Sequence, residues 1–183
     1  MSATGLEVDE TEMRQGLTAC LNVPRWVDDV VARAPFASLD ALVAAAAEAA
    51  TPLSPAEVDH ALADHPRIGE RPAGSGAAAA FSRAEQASSD AADEELAARL
   101  TAGNAAYEAK FGRVFLIRAA GRTRAEILAE LERRIRLDPG EEVGVVATEL
   151  RAIALLRLPQ LFAHLEAVGI DQRSAYDDPE AAQ

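Results

Sequence analysis

Cysteine occurs once in the 183-residue chain, at Cys20 in the apolar setting LTACL. This excludes an intrachain disulfide framework or a Cys-rich metal site, and makes a reducing cytoplasm the expected setting. Histidine occurs three times, and His60 and His65 are five residues apart, a spacing that puts them on different faces even of a continuous helix. No HExxH pattern accompanies them, so a metal site is not expected. Aromatic residues are 4% of the chain, so a core must be built largely from Ala, Leu and Val. Lys and Arg number 18 against 30 Asp and Glu, and the net charge of -12 with a pI near 4.7 argues against nucleic acid or an anionic membrane surface as the main partner. Any anionic ligand has to be held by local cations. No run reaches about 18 strongly apolar residues, the start MSATGLEVDE carries no basic-then-apolar signal, and the final AAQ is no peroxisomal tripeptide. The expectation is a soluble cytoplasmic protein of a single domain.

What the chain does contain is helical periodicity nearly throughout, which predicts an all-α bundle of about eight helices. A first helix is predicted from about Glu10 to Leu21, and Pro24 opens a second. Ser38 is placed to cap a third, rich in alanine. Ser54-Pro55-Ala56-Glu57 reads as a capping box with proline at the first helical position, for a helix ending near Asp64. Helix resumes around Ser82, and a long pattern from about Asp93 to Phe111 is stopped by Gly112. Val114 to Ile117 is the one short extended apolar run. Thr123 to Glu126 opens a capped helix ending near Leu137, an apolar helix follows Pro139 to about Leu158, and Pro159 separates it from a short last helix. An acidic tail from Asp171, like residues 1–9, is expected to lie outside the ordered core.

Against this background ALADHPRIGERPAGSG, Ala61 to Gly76, stands out. Pro66 pushes His65 out of the α region, so the imidazole leaves a helix end in a fixed direction. It fits a histidine meeting the helix dipole, or a general acid or base at a pocket mouth. His60 and His164 have ordinary helical surroundings. In FSRAEQAS, Ser82 and Glu85 have the spacing of a capping box. Asn104, Tyr107, Glu108 and Phe111 describe one helix face packed on a core. The extended run beyond them leaves backbone N–H groups that could bind a ligand's oxygens, or is simple core filler. Arg157 falls on the face shared by Leu150 and Ile153, where a guanidinium is costly unless an anion meets it. It also fits an arginine snorkelling to the last carbonyls of its helix.

HPRIGE, FSRAEQ, NAAYEAKFGRVFLIRAAG and ELRAIALLRL occur in the order and rough spacing of one family. From about Leu17 to Leu161 the chain resembles 2-oxo-4-hydroxy-4-carboxy-5-ureidoimidazoline (OHCU) decarboxylase of urate breakdown. The resemblance implies an all-α fold, a homodimer, and cofactor-independent conversion of OHCU to (S)-allantoin and CO2, with a pathway association with 5-hydroxyisourate hydrolase. It implies that His65, Glu85 and Arg157 are catalytic. Pro66, Ser82, Arg83, Ala84, Glu85 and Gln86 would bind substrate, as would Phe115, Leu116, Ile117, Arg118 and Ala119, whose backbone groups would hold the ring. Two departures bear on pocket shape: Arg113 and Val114 stand where the family often has phenylalanine and proline, and Ala87-Ser88-Ser89 where a glycine commonly follows the EQ pair. The alternatives are a catalytically impaired member that binds a ureido or imidazoline ligand, and a non-enzymatic all-α interaction module.

Overall fold

A computed structural model of the chain describes residues 6, 8–63, 65 and 94–174, with the side chains of 94 and 164–174 excepted. Among the described residues there are seven α-helices and no strand, in keeping with the all-α reading. They are α1 (Glu10–Cys20), α2 (Pro24–Val31), α3 (Leu39–Ala49), α4 (Pro55–Leu62), α5 (Glu94–Phe111), α6 (Arg124–Arg134) and α7 (Pro139–Ser174). The start expected around Ser82 lies outside the described residues. The chain forms two compact units, Met1–Thr51 with Ala154–Gln183, and Pro52–Ile153.

The helix starts follow their caps. Asp9 accepts from the N–H groups of Thr11 and Glu12 at α1, and Ser38 accepts from Ala41 N–H at α3. Two complete capping boxes, Ser54 with Glu57 and Thr123 with Glu126, open α4 and α6. Each satisfies donors that the first turn of a helix leaves without partners. α5 ends where Gly112 takes a φ of 68°, a left-handed conformation that a side chain would strain.

In the first unit, Trp26 of α2 is buried and its indole N–H donates to the Ala46 carbonyl of α3 at 2.9 Å. Leu17, Val30 and Leu42 complete a core drawn from α1, α2 and α3. Gly16 of α1 is where Phe162 of α7 packs: a Cβ there would stand 2.6 Å from the phenyl Cζ. In the second unit α5 packs along α6, with Leu100, Tyr107, Ile127 and Leu131 at its centre, joined by Phe115 and Ile117 from the connection between the two helices.

The helix ends differ from expectation in three places. α4 stops at Leu62, two residues short of Asp64. α6 stops at Arg134, after which the chain turns through Leu137 with hydrogen bonds to the carbonyls of Leu131, Arg133 and Arg134. Pro159 does not end its helix, and α7 runs through it to Ser174, past the expected start of the tail. A proline inside a helix removes one hydrogen bond and crowds the carbonyl four residues back. Leu158 and Phe162, on either side of it, are both buried, so packing continues across the local defect. The close fit at Gly16 yields a prediction. Overpacking typically costs about 1–3 kcal/mol, more than the roughly 0.5–1 kcal/mol by which alanine favours a helix over glycine. Gly16→Ala should therefore lower the thermal midpoint, and a variant that melts at or above wild type would contradict the packing described.

Candidate active site

His65 follows the end of α4, its N–H donating to the Leu62 carbonyl at 3.0 Å. Its ring is half-buried, and Nδ1 lies 2.7 Å from the Ala61 carbonyl. A carbonyl only accepts, so Nδ1 carries the proton and Nε2 is the basic nitrogen of the neutral ring. The helix end thus selects the tautomer. Pro66, Ser82, Arg83, Ala84, Glu85 and Gln86 lie outside the described residues.

The Phe115–Ala119 segment is irregular, as its sequence suggests, and Phe115, Leu116, Ile117 and Ala119 are buried. Its stem is tied to α4 by Arg113, whose guanidinium meets Asp59 at 3.2 Å, giving a partner to one of the departures from the family pattern. Three further contacts fix the segment. The Leu116 carbonyl accepts from Arg134 Nη1 at 2.7 Å. Arg118 N–H donates to Glu149 Oε2 at 2.7 Å. The Arg134 guanidinium also lies over the Phe115 ring, 4.7 Å from its centroid. Among the described residues, no hydrogen-bond partner is found for the N–H groups of Phe115, Leu116 and Ile117, nor for the Ile117 carbonyl.

Arg134 and Glu142 were not singled out in the sequence, yet neither has any solvent exposure. Arg134 ends α6, and Glu142 lies in the first turn of α7. Arg134 Nε donates to Glu142 Oε1 at 2.9 Å, and the phenol of Tyr107, from α5, donates to the same oxygen. Burial, then the Glu142 carboxylate, pushes the Tyr107 phenol well above its usual pKa, with Arg134 pulling the other way. It stays a protonated donor. A signal for the pair was present. Arg134 falls seven residues after Ile127 and three after Leu131, and Glu142 four before Val146 and eight before Leu150, so each sits on an apolar stripe.

Arg157, described within the first unit, is 2% exposed, and its Nη1 donates to the Cys20 carbonyl at 3.4 Å. Burial of the guanidinium is as its place on the Leu150–Ile153 face implies. Burial also pushes the Cys20 thiol up to about 12, with Arg157 drawing it down less strongly, so the residue is a neutral thiol at pH 7. His60 is exposed, and the side chain of His164 lies outside the described residues. No described helix is long and apolar enough to cross a membrane.

The described residues therefore offer an oriented imidazole, an anchored segment with backbone donors and an acceptor, and a buried guanidinium. With seven helices and no strand among the described residues, the protein is of the all-α class. The chain matches the OHCU decarboxylase family over residues 7–159. It is 37% identical over 106 residues to the uric acid degradation bifunctional protein TTL of Arabidopsis thaliana, a match covering 56% of this chain and 33% of that protein. It is 33% identical over 132 residues to the 2-oxo-4-hydroxy-4-carboxy-5-ureidoimidazoline decarboxylase of Amia calva, covering 69% of this chain and 74% of that one. The chain belongs to the OHCU decarboxylase family. It spans only about a third of the length of the Arabidopsis relative. Its fold is similar to that of an OHCU decarboxylase crystallised in the presence of (S)-allantoin, with a TM-score of 0.67 and 23% identity over 85% of this chain and 99% of that chain. It is also similar to that of an (S)-allantoin synthase, with a TM-score of 0.62 and 18% identity over 86% of this chain and 52% of that chain. At those identities the likeness concerns the fold alone.

The buried cluster predicts unequal losses. Glu142→Leu leaves a buried guanidinium without its carboxylate and should cost about 3–5 kcal/mol of stability. Tyr107→Phe removes one of the donors and should cost about 1–3 kcal/mol. Urea unfolding of the two variants checks this, and equal small losses would mean that the pair is not sealed from water.

Proposed function

We propose that the protein is a cofactor-independent carboxy-lyase that converts OHCU to (S)-allantoin and CO2 in urate breakdown. The observation that carries this reading is His65: in a chain of this family, a half-buried imidazole has its tautomer set by the Ala61 carbonyl, so that Nε2 is the base. In OHCU the bond to the carboxyl carbon breaks, its electron pair passes into the adjacent ring functions, and a proton is returned to the ring. No cofactor is needed as an electron sink. Catalysis needs orientation of the carboxylate, donors for charge developing on the ring, and proton delivery to one face. A neutral His65 is suited to interact with the substrate hydroxyl or relay a proton near pH 7.

Backbone N–H groups of Phe115, Leu116 and Ile117 would stabilise ring oxygens, and Arg118 and Ala119 belong to the same element, the Arg118 N–H being held by Glu149. Pro66, Ser82, Arg83, Ala84 and Gln86 would bind substrate with Glu85 as the second catalytic group. Those six assignments rest on the family resemblance, as does a role for Arg157 at an anionic oxygen. The family match draws on both compact units, which supports reading the chain as one OHCU decarboxylase domain. A homodimer, a cytoplasmic location and association with 5-hydroxyisourate hydrolase, which rest on the family resemblance, complete the proposal.

The test is handedness. OHCU left alone decays to racemic allantoin, because a free planar intermediate takes its proton from either face. A site that covers one face should give a single enantiomer. Circular dichroism of allantoin formed from fresh OHCU should show the (S) form with wild type, and His65→Asn should slow turnover by more than about a hundredfold with little change in melting. An optically inactive product, or a His65→Asn variant within about tenfold of wild type, would contradict the proposal.

A further inference from the structure

The peptide group is planar and trans, so a carbonyl and the next residue's N–H point in opposite directions from one rigid plate. Leu116 C=O and Ile117 N–H share one such plate, and Ile117 C=O and Arg118 N–H share the next. Arg134 holds the first plate by its oxygen at 2.7 Å, and Glu149 holds the second by its N–H, also at 2.7 Å. Each clamp acts on the outer group of its plate. What remains is the inner pair, Ile117 N–H and Ile117 C=O, each aimed away from its clamp. Among the described residues neither has a hydrogen-bond partner, although Ile117 is buried. A buried donor and acceptor left in this way are costly unless a ligand or water meets them.

Both clamps are anchored in one stretch of helix. Glu142, which orients Arg134, and Glu149 are seven residues apart on α7, two turns along one side. Arg134 cannot swing away, because its other nitrogens are held by Glu142 and its face covers Phe115. Glu149 is steadied on its other oxygen by Arg122 at 3.7 Å.

Resting on the proposed function above, we propose that Arg134, Glu142 and Glu149 are positioning residues. They lock the two peptide planes flanking Ile117, so that its N–H and C=O form one donor–acceptor pair for an amide edge of a cyclic ureide. An adjacent N–H and C=O on a five-membered ring complement that pair. None of the three residues touches the ligand. They act through the backbone they hold, and preorganisation of this kind reduces the ordering cost of binding.

Glu149 offers the cleaner test, because it is partly exposed and its loss does not strand a buried charge. In Glu149→Ala the Arg118 amide loses its acceptor. Its hydrogen exchange, followed by NMR, should quicken by about tenfold or more, and the KM for OHCU should rise by roughly tenfold with a smaller fall in kcat. Glu149→Gln retains an acceptor oxygen and should restore both. Arg122→Ala removes the ion pair but not the acceptor, and should change both far less than Glu149→Ala does. The proposal is overturned if Glu149→Ala leaves Arg118 exchange and KM within about twofold of wild type, or if glutamine does no better than alanine. Wild type without activity on OHCU would sink the proposed function, and Arg118 exchange in the two Glu149 variants would still decide whether the clamp exists.

Discussion

A guanidinium without solvent exposure is the constraint around which the second compact unit is arranged. Removing an ion from water costs several kcal/mol even after relaxation, and the cost is offset only when the geometry with its partners is good. Arg134 has a carboxylate, a carbonyl and an aromatic face, and each comes from a different part of the chain. Glu142 fixes the first turn of α7, Leu116 fixes the irregular segment, and Tyr107 joins α5 to the same carboxylate oxygen. Arginine suits this role because its planar fork holds two directions at once. The stability such a pair contributes is small beside the specificity it imposes, since any arrangement that lost one partner would leave a charge uncompensated.

That constraint makes an irregular segment rigid. Residues between helices usually run over the surface, because buried backbone groups without a ladder are costly. Here Phe115 and Ile117 sit in the core of the unit, and side chains from α6 and α7 satisfy the flanking backbone groups. The groups they do not satisfy are then fixed in direction by peptide planarity. His65 follows the same logic at smaller scale: a carbonyl of the last turn of α4 decides which ring nitrogen is basic. In both places the backbone selects the chemistry that a side chain or amide can offer.

Much of the fold was legible because its signals are local. The boxes at Ser54–Glu57 and Thr123–Glu126, the cap at Ser38 and the stop at Gly112 each span a few residues, and each is where its spacing implied. Pro159 misled for the same reason. The rule that proline ends a helix is local, whereas burial of Leu158 and Phe162 is tertiary and overrides it. In the candidate site, the end of α4 ahead of His65 and the non-helical run after Gly112 could be read directly. What holds that run could not, because its clamps lie 18 and 31 residues away along the chain. Arg134 and Glu142 sit on the apolar stripes of their helices, the pattern that marked Arg157. Two opposite charges on facing stripes joined by a short turn are the sign of a buried pair.

The central claim is that the anchored backbone around Ile117 recognises the ligand. Its most direct measurement is a titration of wild-type protein with (S)-allantoin, followed through backbone amide chemical shifts. The clamped geometry predicts a saturable shift of the Ile117 amide, larger than that of Arg118, whose N–H is already engaged by Glu149. Saturable binding that moves other amides while Phe115 to Ala119 stay in place would contradict it.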